Sequence, residues 1–404
     1  MRNREALQQH EHSAKWSWPF WPVVPLYPYG ERRTLRRELV KDTIWAFDQL
    51  QGILYVTVPI RMTVVKLDAG GLLVYAPVAP TPECIGLLRE IEAQHGPVCY
   101  IILPTSSGLE HKVFVGPFAR HCRDAAVYVA PDQWSFPIQL PLSWLGFPIG
   151  RTYALPTDAT QAPFYDDFDY QILGPIKLGL GVFEEVVLFH RRSQTLLVTD
   201  TVLTIPETPP DIVQLTPYPM LFHARDQVND VVEDTWLNRC KGWQRIALFS
   251  FFFRPSAAET IPLGQAIRDA ANAPNRSKSN YFGLFPFQWN DNWKVSFDAL
   301  RSDGRLLVAP ILQTLILNRA PEQTLEWVSR VIRWDFRRIV PCHFDSLIDS
   351  SSSQFRDAFS FLEPSRDETN PLPRSFSDDD LEVLHELDDI LTRRGITPPA
   401  KPVS

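Results

Sequence analysis

The sequence is poor in cysteine and has no long hydrophobic run, and both features restrict the class of protein. Its five cysteines are odd in number and include no C-x-x-C pair, which favours free thiols in a reducing compartment over a disulfide framework. The longest apolar run, IALFSFFF, is far shorter than the roughly 20 residues that span a bilayer. The N-terminal stretch MRNREALQQHEHSAKWSW lacks the apolar segment of a signal peptide. We therefore expect a soluble protein of the cytoplasm.

Positive charge is not in excess, whereas proline and tryptophan are abundant. The formal net charge of -7 argues against nucleic acid as a partner, because phosphate binding depends on cationic side chains. The 36 prolines and 12 tryptophans indicate long, well-packed irregular connections, since disordered chains contain few aromatic residues. A chain of 404 residues that is 45% hydrophobic can form two or three domains or one elaborated α/β domain.

The pattern of elements divides the chain into a central α/β region and two flanking extensions. Residues 1–60 form a Pro/Trp-rich N-terminal extension, and residues 346–404 form a helical C-terminal extension. Strands and helices alternate over residues 61–345, which favours an α/β fold. Residues 205–303 carry little strand signal, so we interpret them as a helical insertion in this domain.

The α/β region contains well-marked hairpins and helices. The segment RMTVVKLDAGGLLVYAPV predicts a hairpin that turns at residues 69–71, and EEVVLFH and TLLVTDTV predict a second hairpin joined by RRSQ. Thr81 is a plausible N-cap for the helix that follows it. Helices are predicted over residues 82–96, 112–122, 238–253 and 261–272, in PEQTLEWVSRVIRWDF and in SDDDLEVLHELDDILTRRG.

The N-terminal extension combines a basic stripe with an aromatic run. Arg33, Arg36 and Arg37 fall at helical spacing, which predicts one basic face that is solvated or paired with carboxylates. The alternative is contact with an anionic lipid or phosphate. The aromatic residues either pack over their own domain or contribute to a peripheral membrane contact through residues 16–41; they are Trp16, Trp18, Phe20, Trp21, Tyr27 and Tyr29.

Potential metal ligands follow three predicted strands. Glu110 and His111 come after YIILP, Asp200 ends TLLVTD, and His343 follows RIVPC. The ends of strands hold reactive groups in α/β folds, because a rigid sheet positions them and a loop exposes them. Two imidazoles and two carboxylates suit a single Zn, Fe or Mn ion. The alternative is a polar cluster that is satisfied by hydrogen bonds and water and holds no ion.

This context resembles the metallo-β-lactamase superfamily over residues 61–204 and 304–345. That superfamily places H-x-H-x-D-H after a strand, a further histidine in a G-H-x-P-G turn, an aspartate at a strand end, and a final histidine after PGH. The first motif falls on Ser106, Gly108, Glu110 and His111, the G-H-x-P-G histidine falls near Gly181, and the last two positions fall on Asp200 and His343. The histidines of the family's first metal site are therefore absent.

The resemblance implies a four-layered αββα sandwich with at most one metal ion. A metal held by Glu110, His111, Asp200 and His343 would activate water for attack on an ester, thioester or phosphoester. The alternative is a non-catalytic factor that binds a small molecule or protein on a lactamase-like scaffold that has lost metal-binding residues. The chain also resembles a family of lactamase-like proteins from oxygenic phototrophs with no established reaction. That resemblance adds the plastid stroma, or a position peripheral to the thylakoid membrane, to the expected locations.

Other polar residues have weaker signals. Glu184 and Glu185 alternate along a strand, so only one of them can face the site and act as a supporting base. Cys342 adjoins His343 and should face the core instead. His223 and Arg225 lie in the insertion, where they are candidates for covering the cleft.

Overall fold

The strands of the protein form two large sheets and one small one. The computed structural model describes residues 14–20, 26–106, 109–135, 139–179, 181–363 and 376–401. Trp21 of the aromatic run and Ser107 and Gly108 of the predicted metal-binding loop lie outside the described residues. The strands are β1 (Leu35–Val40), β2 (Ile44–Ile53), β3 (Val56–Lys66), β4 (Leu72–Tyr75), β5 (Val98–Leu103), β6 (Ala126–Val129), β7 (Thr152–Ala154), β8 (Phe168–Lys177), β9 (Val182–His190), β10 (Thr195–Val198), β11 (Ala258–Thr260), β12 (Phe287–Trp289), β13 (Arg338–Pro341) and β14 (Ile348–Asp349).

Helices connect and cover these strands. They are α1 (Pro82–His95), α2 (Leu109–Ala119), α3 (Asp211–Gln214), α4 (Tyr218–His223), α5 (Trp236–Phe252), α6 (Leu263–Asn272), α7 (Trp293–Arg301), α8 (Pro310–Leu315), α9 (Pro321–Val331), α10 (Ser352–Ala358) and α11 (Asp378–Arg393). The side chains of Thr81 and Ser377 cap α1 and α11 at the positions that the sequence indicates.

The first sheet has the order β1-β2-β3-β4-β5-β6-β7, and the second has the order β14-β13-β10-β9-β8. The first is antiparallel from β1 to β4 and parallel from β4 to β7. In the second sheet β10 and β13 are parallel, and the other pairs are antiparallel. Both predicted hairpins, β3–β4 and β9–β10, are confirmed.

The two sheets pack face to face through a shared apolar core. Val65 and Ile102 of the first sheet belong to the same buried cluster as Val186, Leu188 and Val340 of the second. Burying each such aliphatic side chain stabilises the fold by about 1.5–3 kcal/mol. Cys342 lies in this cluster as a buried thiol, as its position on the strand predicts.

Helices cover the outer face of each sheet. Residues of α1 and α2, such as Leu88 and Phe118, pack on the first sheet. Helix α9 packs on β8 of the second sheet, and helices α3 and α5 of the insertion pack against β2 and β3 of the first sheet; Trp243 of α5 and Trp327 of α9 are fully buried. The predicted αββα sandwich is therefore confirmed. None of the helices in the described part of the chain is long and apolar enough to cross a membrane.

The basic stripe lies on a strand, so the helical prediction for it is wrong. Arg36 and Arg37 are on β1, which pairs with β2, and both strands belong to the first sheet. Here the pairing with β2 prevails over the helical spacing of the arginines. Arg36 forms an ion pair with Glu90 at 2.8 Å, and Arg37 forms one with Asp48 at 2.6 Å. These contacts agree with the carboxylate-paired alternative.

The described part of the aromatic run packs largely against the domain. Trp18 is 3% exposed and its ring meets Phe114 of α2 at 5.2 Å between centroids. Tyr27 is also buried, and its ring meets that of Tyr55. Phe20 remains 42% exposed.

Candidate functional site

The four predicted metal ligands line one pocket of about 370 Å³. Glu110 and His111 lie in α2, which follows β5 of the first sheet. Asp200 and His343 follow β10 and β13 of the second sheet. The pocket therefore lies where the two sheets meet at one edge. Sequence positions that are far apart converge here because the sandwich brings both sets of strand ends together.

Parallel pairing places Asp200 beside His343. Val198 of β10 is in register with Pro341 of β13, and each ligand lies two residues beyond its member of that pair. The carboxyl ends of parallel neighbours meet at the same edge of a sheet. The juxtaposition of the two side chains thus follows directly from the strand register.

Glu110 and His111 lie in the first turn of α2 and not in the loop before it. The sequence predicts this helix around residues 112–122, but it begins at Leu109 and ends at Ala119, with Pro117 inside it. An acidic residue in the first turn of a helix interacts favourably with the helix dipole, which suits Glu110 at this position. The helix therefore fixes the direction in which both side chains leave the backbone.

Glu110, Asp200 and His343 form a tight group. Their ligand atoms all lie within 4.8 Å of one another. His343 Nε2 is 2.9 Å from a Glu110 carboxylate oxygen and 3.1 Å from an Asp200 carboxylate oxygen. The other nitrogen of His343, Nδ1, contacts the carbonyl oxygen of Pro59 at 3.0 Å. Both ring nitrogens thus face acceptors.

These contacts control the protonation of the group. Burial opposes a charge on His343, but the two adjacent carboxylates outweigh it and raise the pKa of His343 well above its usual range. Burial would raise the pKa of Glu110, but the charge and hydrogen bond of His343 lower it to about 2. Without an ion, the group is therefore a protonated imidazolium between two carboxylates.

His111 completes the polar side of the pocket but lies outside that tight group. Its Nδ1 contacts the carbonyl oxygen of Pro77 at 3.1 Å, and a neutral ring can donate through this nitrogen. Its Nε2 is buried and has no hydrogen-bond partner. Burial and the nearby charge of His343 lower the pKa of His111, which favours the neutral ring. A neutral imidazole with one nitrogen oriented by a carbonyl is the usual form of a metal-binding histidine.

Glu185 fixes the loop that carries Asp200. Its carboxylate accepts hydrogen bonds from the backbone N–H groups of Thr199, Asp200 and Thr201 at 2.8, 3.0 and 3.0 Å, and from the Thr201 hydroxyl at 2.9 Å. Glu185 is fully buried, and it is not among the residues that line the pocket. Its contacts position Asp200 and do not support the role of a base.

Arg61 fixes the loop that carries His343. It is fully buried and forms an ion pair with Asp48 at 2.7 Å. Its Nη1 donates to the carbonyl oxygens of Pro341 and Asp345, both at 2.6 Å, so it bridges the two ends of the loop around His343. The sequence offers only a weak signal for Arg61, namely an arginine at the start of the mainly apolar strand segment RMTVV.

Most of the remaining lining of the pocket is apolar, and one part of it comes mainly from helices. We call this part the helical wall; it consists of Phe251 of α5, Ala309 just before α8, and Ile311 and Leu312 of α8. We call the wall formed by Glu110, His111, Asp200 and His343 the sheet wall.

The insertion reaches the pocket through Ser250 and Phe251, and not through the two candidates that the sequence offers. His223 and Arg225 do not line the pocket, so their predicted covering role is wrong. Arg225 lies over the rings of Phe222 and Phe285, each at 4.4 Å, and His223 is buried against Phe249. Aromatic stacking in the core of the insertion holds both side chains away from the cleft.

The chain belongs to the family described as Domain of unknown function (DUF4336), whose model matches residues 41–361. None of the curated proteins matches the sequence. The family description names no reaction. The proposal for this chain therefore depends on its own residues.

Solved structures with metallo-β-lactamase-type folds are similar to this chain. A metallo-β-lactamase from Pontibacter korlensis is 11% identical, with a TM-score of 0.38; the match covers 81% of this chain and 99% of that one. A flavodiiron core from Synechocystis is 9% identical, with a TM-score of 0.40 and coverage of 82% and 61%. A flavoprotein from Thermotoga maritima is 9% identical, with a TM-score of 0.41 and coverage of 84% and 64%. The chain thus spans less than two thirds of the length of the latter two, and likenesses of this degree carry no argument about activity.

Proposed function

We propose that the pocket binds one Zn, Fe or Mn ion through Glu110, Asp200 and His343, with His111 beside them, and that the protein is a mononuclear metal-dependent hydrolase. The observation that carries this proposal is the convergence of three potential ligand atoms within 4.8 Å. The buried, unpartnered Nε2 of His111 in the same pocket supports it, because a buried nitrogen without a partner is costly.

The donor set fits such an ion. Imidazole nitrogen and carboxylate oxygen are ordinary ligands of Zn, Fe and Mn. The orienting contacts made by Arg61 and Glu185 resemble the outer hydrogen bonds that hold metal ligands in place. When an ion binds, His343 would lose its Nε2 proton. The two carboxylates would then contact the ion in place of the imidazolium.

The number of ions is limited to one by the residues before α2. Where the superfamily carries the first histidine of its other site, this chain has Ser106. The Ser106 hydroxyl donates to the carbonyl oxygen of Val182 at 3.0 Å and accepts from the N–H of Glu184 at 2.9 Å. This hydroxyl is therefore occupied in bracing the loop, which argues against both a second metal site and a serine nucleophile.

The chemistry that the pocket supports is hydrolysis of an ester, thioester or phosphoester. When bound, the ion supplies Lewis-acid polarisation of water and of the substrate. Glu110 and Asp200 hold the ligand side of the pocket negative, and neutral His111 offers a nitrogen that can take up a proton. Glu185 and Arg61 keep the two loops from moving relative to each other.

A second candidate is a binding or assembly factor without catalytic activity. The hydrogen bonds of His343 favour it, because both of its nitrogens are partnered without an ion. In this alternative the group is a structural ion triad, and the apolar pocket serves to bind a molecule or a protein segment. Association with a photosynthetic membrane through residues 16–41 belongs to this second candidate.

Metal content separates the two candidates. We expect plasma mass spectrometry to find near one equivalent of Zn, Fe or Mn in untagged protein, and much less in His343→Ala and His111→Ala. The matched control is His385→Ala, since His385 is exposed on α11 and should not affect metal content. No stoichiometric metal after reconstitution would overturn the hydrolase proposal and leave the binding protein.

A further inference from the structure

We propose that the ligand of this pocket is an uncharged ester or thioester with an apolar chain of medium length, and not a phosphoester or another anion. This inference rests on the proposed function, because it names the substrate class of the same site. It follows from the composition of the two walls and from the distribution of charged side chains around them.

The helical wall provides an apolar surface that a chain can occupy. Seven of the thirteen residues that line the pocket are hydrophobic, and Phe251, Ile311 and Leu312 come from helices that face the ligand group. Leu203, just before the insertion, adds to the same surface. A volume of about 370 Å³ lies near the small end of ligand pockets, which favours a chain of medium length.

The sheet wall disfavours anions. Its charged residues are Glu110 and Asp200 together with His343, and no lysine or arginine lines the pocket among the described residues. One divalent ion would only neutralise the two carboxylates. A phosphate or carboxylate would therefore enter without any net positive charge to compensate for its lost hydration.

The buried arginines Arg32 and Arg61 cannot supply that charge, because neither lines the pocket. Arg32 donates to the carbonyl oxygen of Leu50 and lies over the ring of Phe114. Arg61 is fully buried, and its guanidinium is used by Asp48 and by the carbonyl oxygens of Pro341 and Asp345. Turning it toward the pocket would break the ion pair with Asp48 and leave these carbonyl groups without their donor. The pocket therefore discriminates by having no net positive charge and by offering apolar surface, which together select a neutral ester carbonyl with an apolar chain.

Binding to the chelated protein tests this inference independently of catalysis. Methyl octanoate, octanoate and octyl phosphate have similar chains and differ in charge, and their binding can be compared by ligand-observed NMR. We expect methyl octanoate to bind and both anions to bind at least about tenfold more weakly. In Ile311→Arg, which adds a cation to the helical wall, the preference should reverse toward the anions.

The matched control is Val295→Arg, which adds the same charge on the exposed surface of α7, where Val295 is 70% exposed. It should leave the preference unchanged. Equal or tighter binding of octyl phosphate to the unmodified protein, or no binding of methyl octanoate, would overturn the inference. Metal analysis of the same preparation keeps the proposals distinct: ester binding without stoichiometric metal contradicts only the hydrolase, whereas metal without ester preference contradicts only this inference.

Discussion

The buried polar groups behind the two walls of the pocket have different kinds of partner. Behind the sheet wall, Arg61 and Glu185 are fully buried. Arg61 donates to backbone carbonyl groups of the loop around His343, and Glu185 accepts from backbone N–H groups of the loop around Asp200. Behind the helical wall, His223 is buried with both ring nitrogens unpartnered, and Arg225 lies mainly against aromatic rings. Directional hydrogen bonds thus fix the loops around Asp200 and His343, whereas packing without strong direction shapes the helical wall.

From this difference we expect Arg61 and Glu185 to control the positions of the loops that carry His343 and Asp200. We expect the helical wall to control which molecules fit the pocket. A hydrogen-bonded buried charge fixes its partners to within a narrow range of positions, and its loss leaves other groups unsatisfied. Aromatic packing tolerates changes of shape at a lower cost. Three substitutions test the contrast, in order of decreasing expected effect.

Arg61→Met should be the most damaging. It removes the buried ion pair with Asp48 at 2.7 Å, which leaves Asp48 only the partly exposed Arg37, and it frees the loop around His343, so we expect the free energy of unfolding to fall by about 3 kcal/mol. Chemical denaturation measures the effect. Arg36→Met, at a partly exposed arginine on β1, is the control and should cost about 1 kcal/mol or less. Equal losses in the two variants would show that the buried pair has no special role.

Glu185→Gln should have an intermediate effect. The amide keeps one acceptor but cannot serve all three backbone N–H groups, so we expect a loss of about 1–3 kcal/mol together with weaker metal binding, because the Asp200 loop is released. Denaturation and metal titration give the two readouts. Glu184→Gln is the matched control, because this carboxylate accepts from the N–H of Asp132 and does not contact the Asp200 loop. A drop in stability with unchanged metal affinity would contradict the positioning role.

His223→Leu should mainly change the pH dependence of stability. Burial and the charges of Arg225 and Arg245 lower the pKa of His223 to about 3. The unfolded chain therefore takes up a proton below about pH 6.5 that the folded chain does not, and stability falls as the pH falls toward 3. The leucine variant should lose up to about 1.4 kcal/mol per pH unit of this dependence. Denaturation curves at pH 7, 6, 5 and 4 measure it, and an unchanged slope would show that His223 is not buried in its neutral form.

The fold could be predicted, and the four candidate residues could be selected, because their signals are local. Hairpin turns, helix caps and alternating strands and helices specify most elements between residues 61 and 204. Strand ends mark Glu110, His111, Asp200 and His343, and all four line the pocket. Whether they bind a metal remains a prediction.

The supporting residues could not be predicted because their contacts are distant in the sequence. Arg61 reaches Pro341 and Asp345, and nothing near Arg61 in the sequence specifies that contact. Spacing was misleading for Arg36 and Arg37, because arginines at helical intervals also fit the edge of a sheet. Phe251 was missed because an aromatic residue in an apolar helix has no local mark that distinguishes a pocket wall from a core.

The division of the ligands between two sheets has a consequence for folding. Asp200 and His343 are brought together by the pairing of β10 with β13, but Glu110 joins them only when the first sheet docks on the second. Such long-range contacts form late, because closing long loops must precede them. An ion that binds all three side chains would therefore bind only the docked sandwich. By mass action, its binding would stabilise the docked state against separation of the two sheets. The rate at which ion binding recovers during refolding would then report the rate at which the two sheets dock.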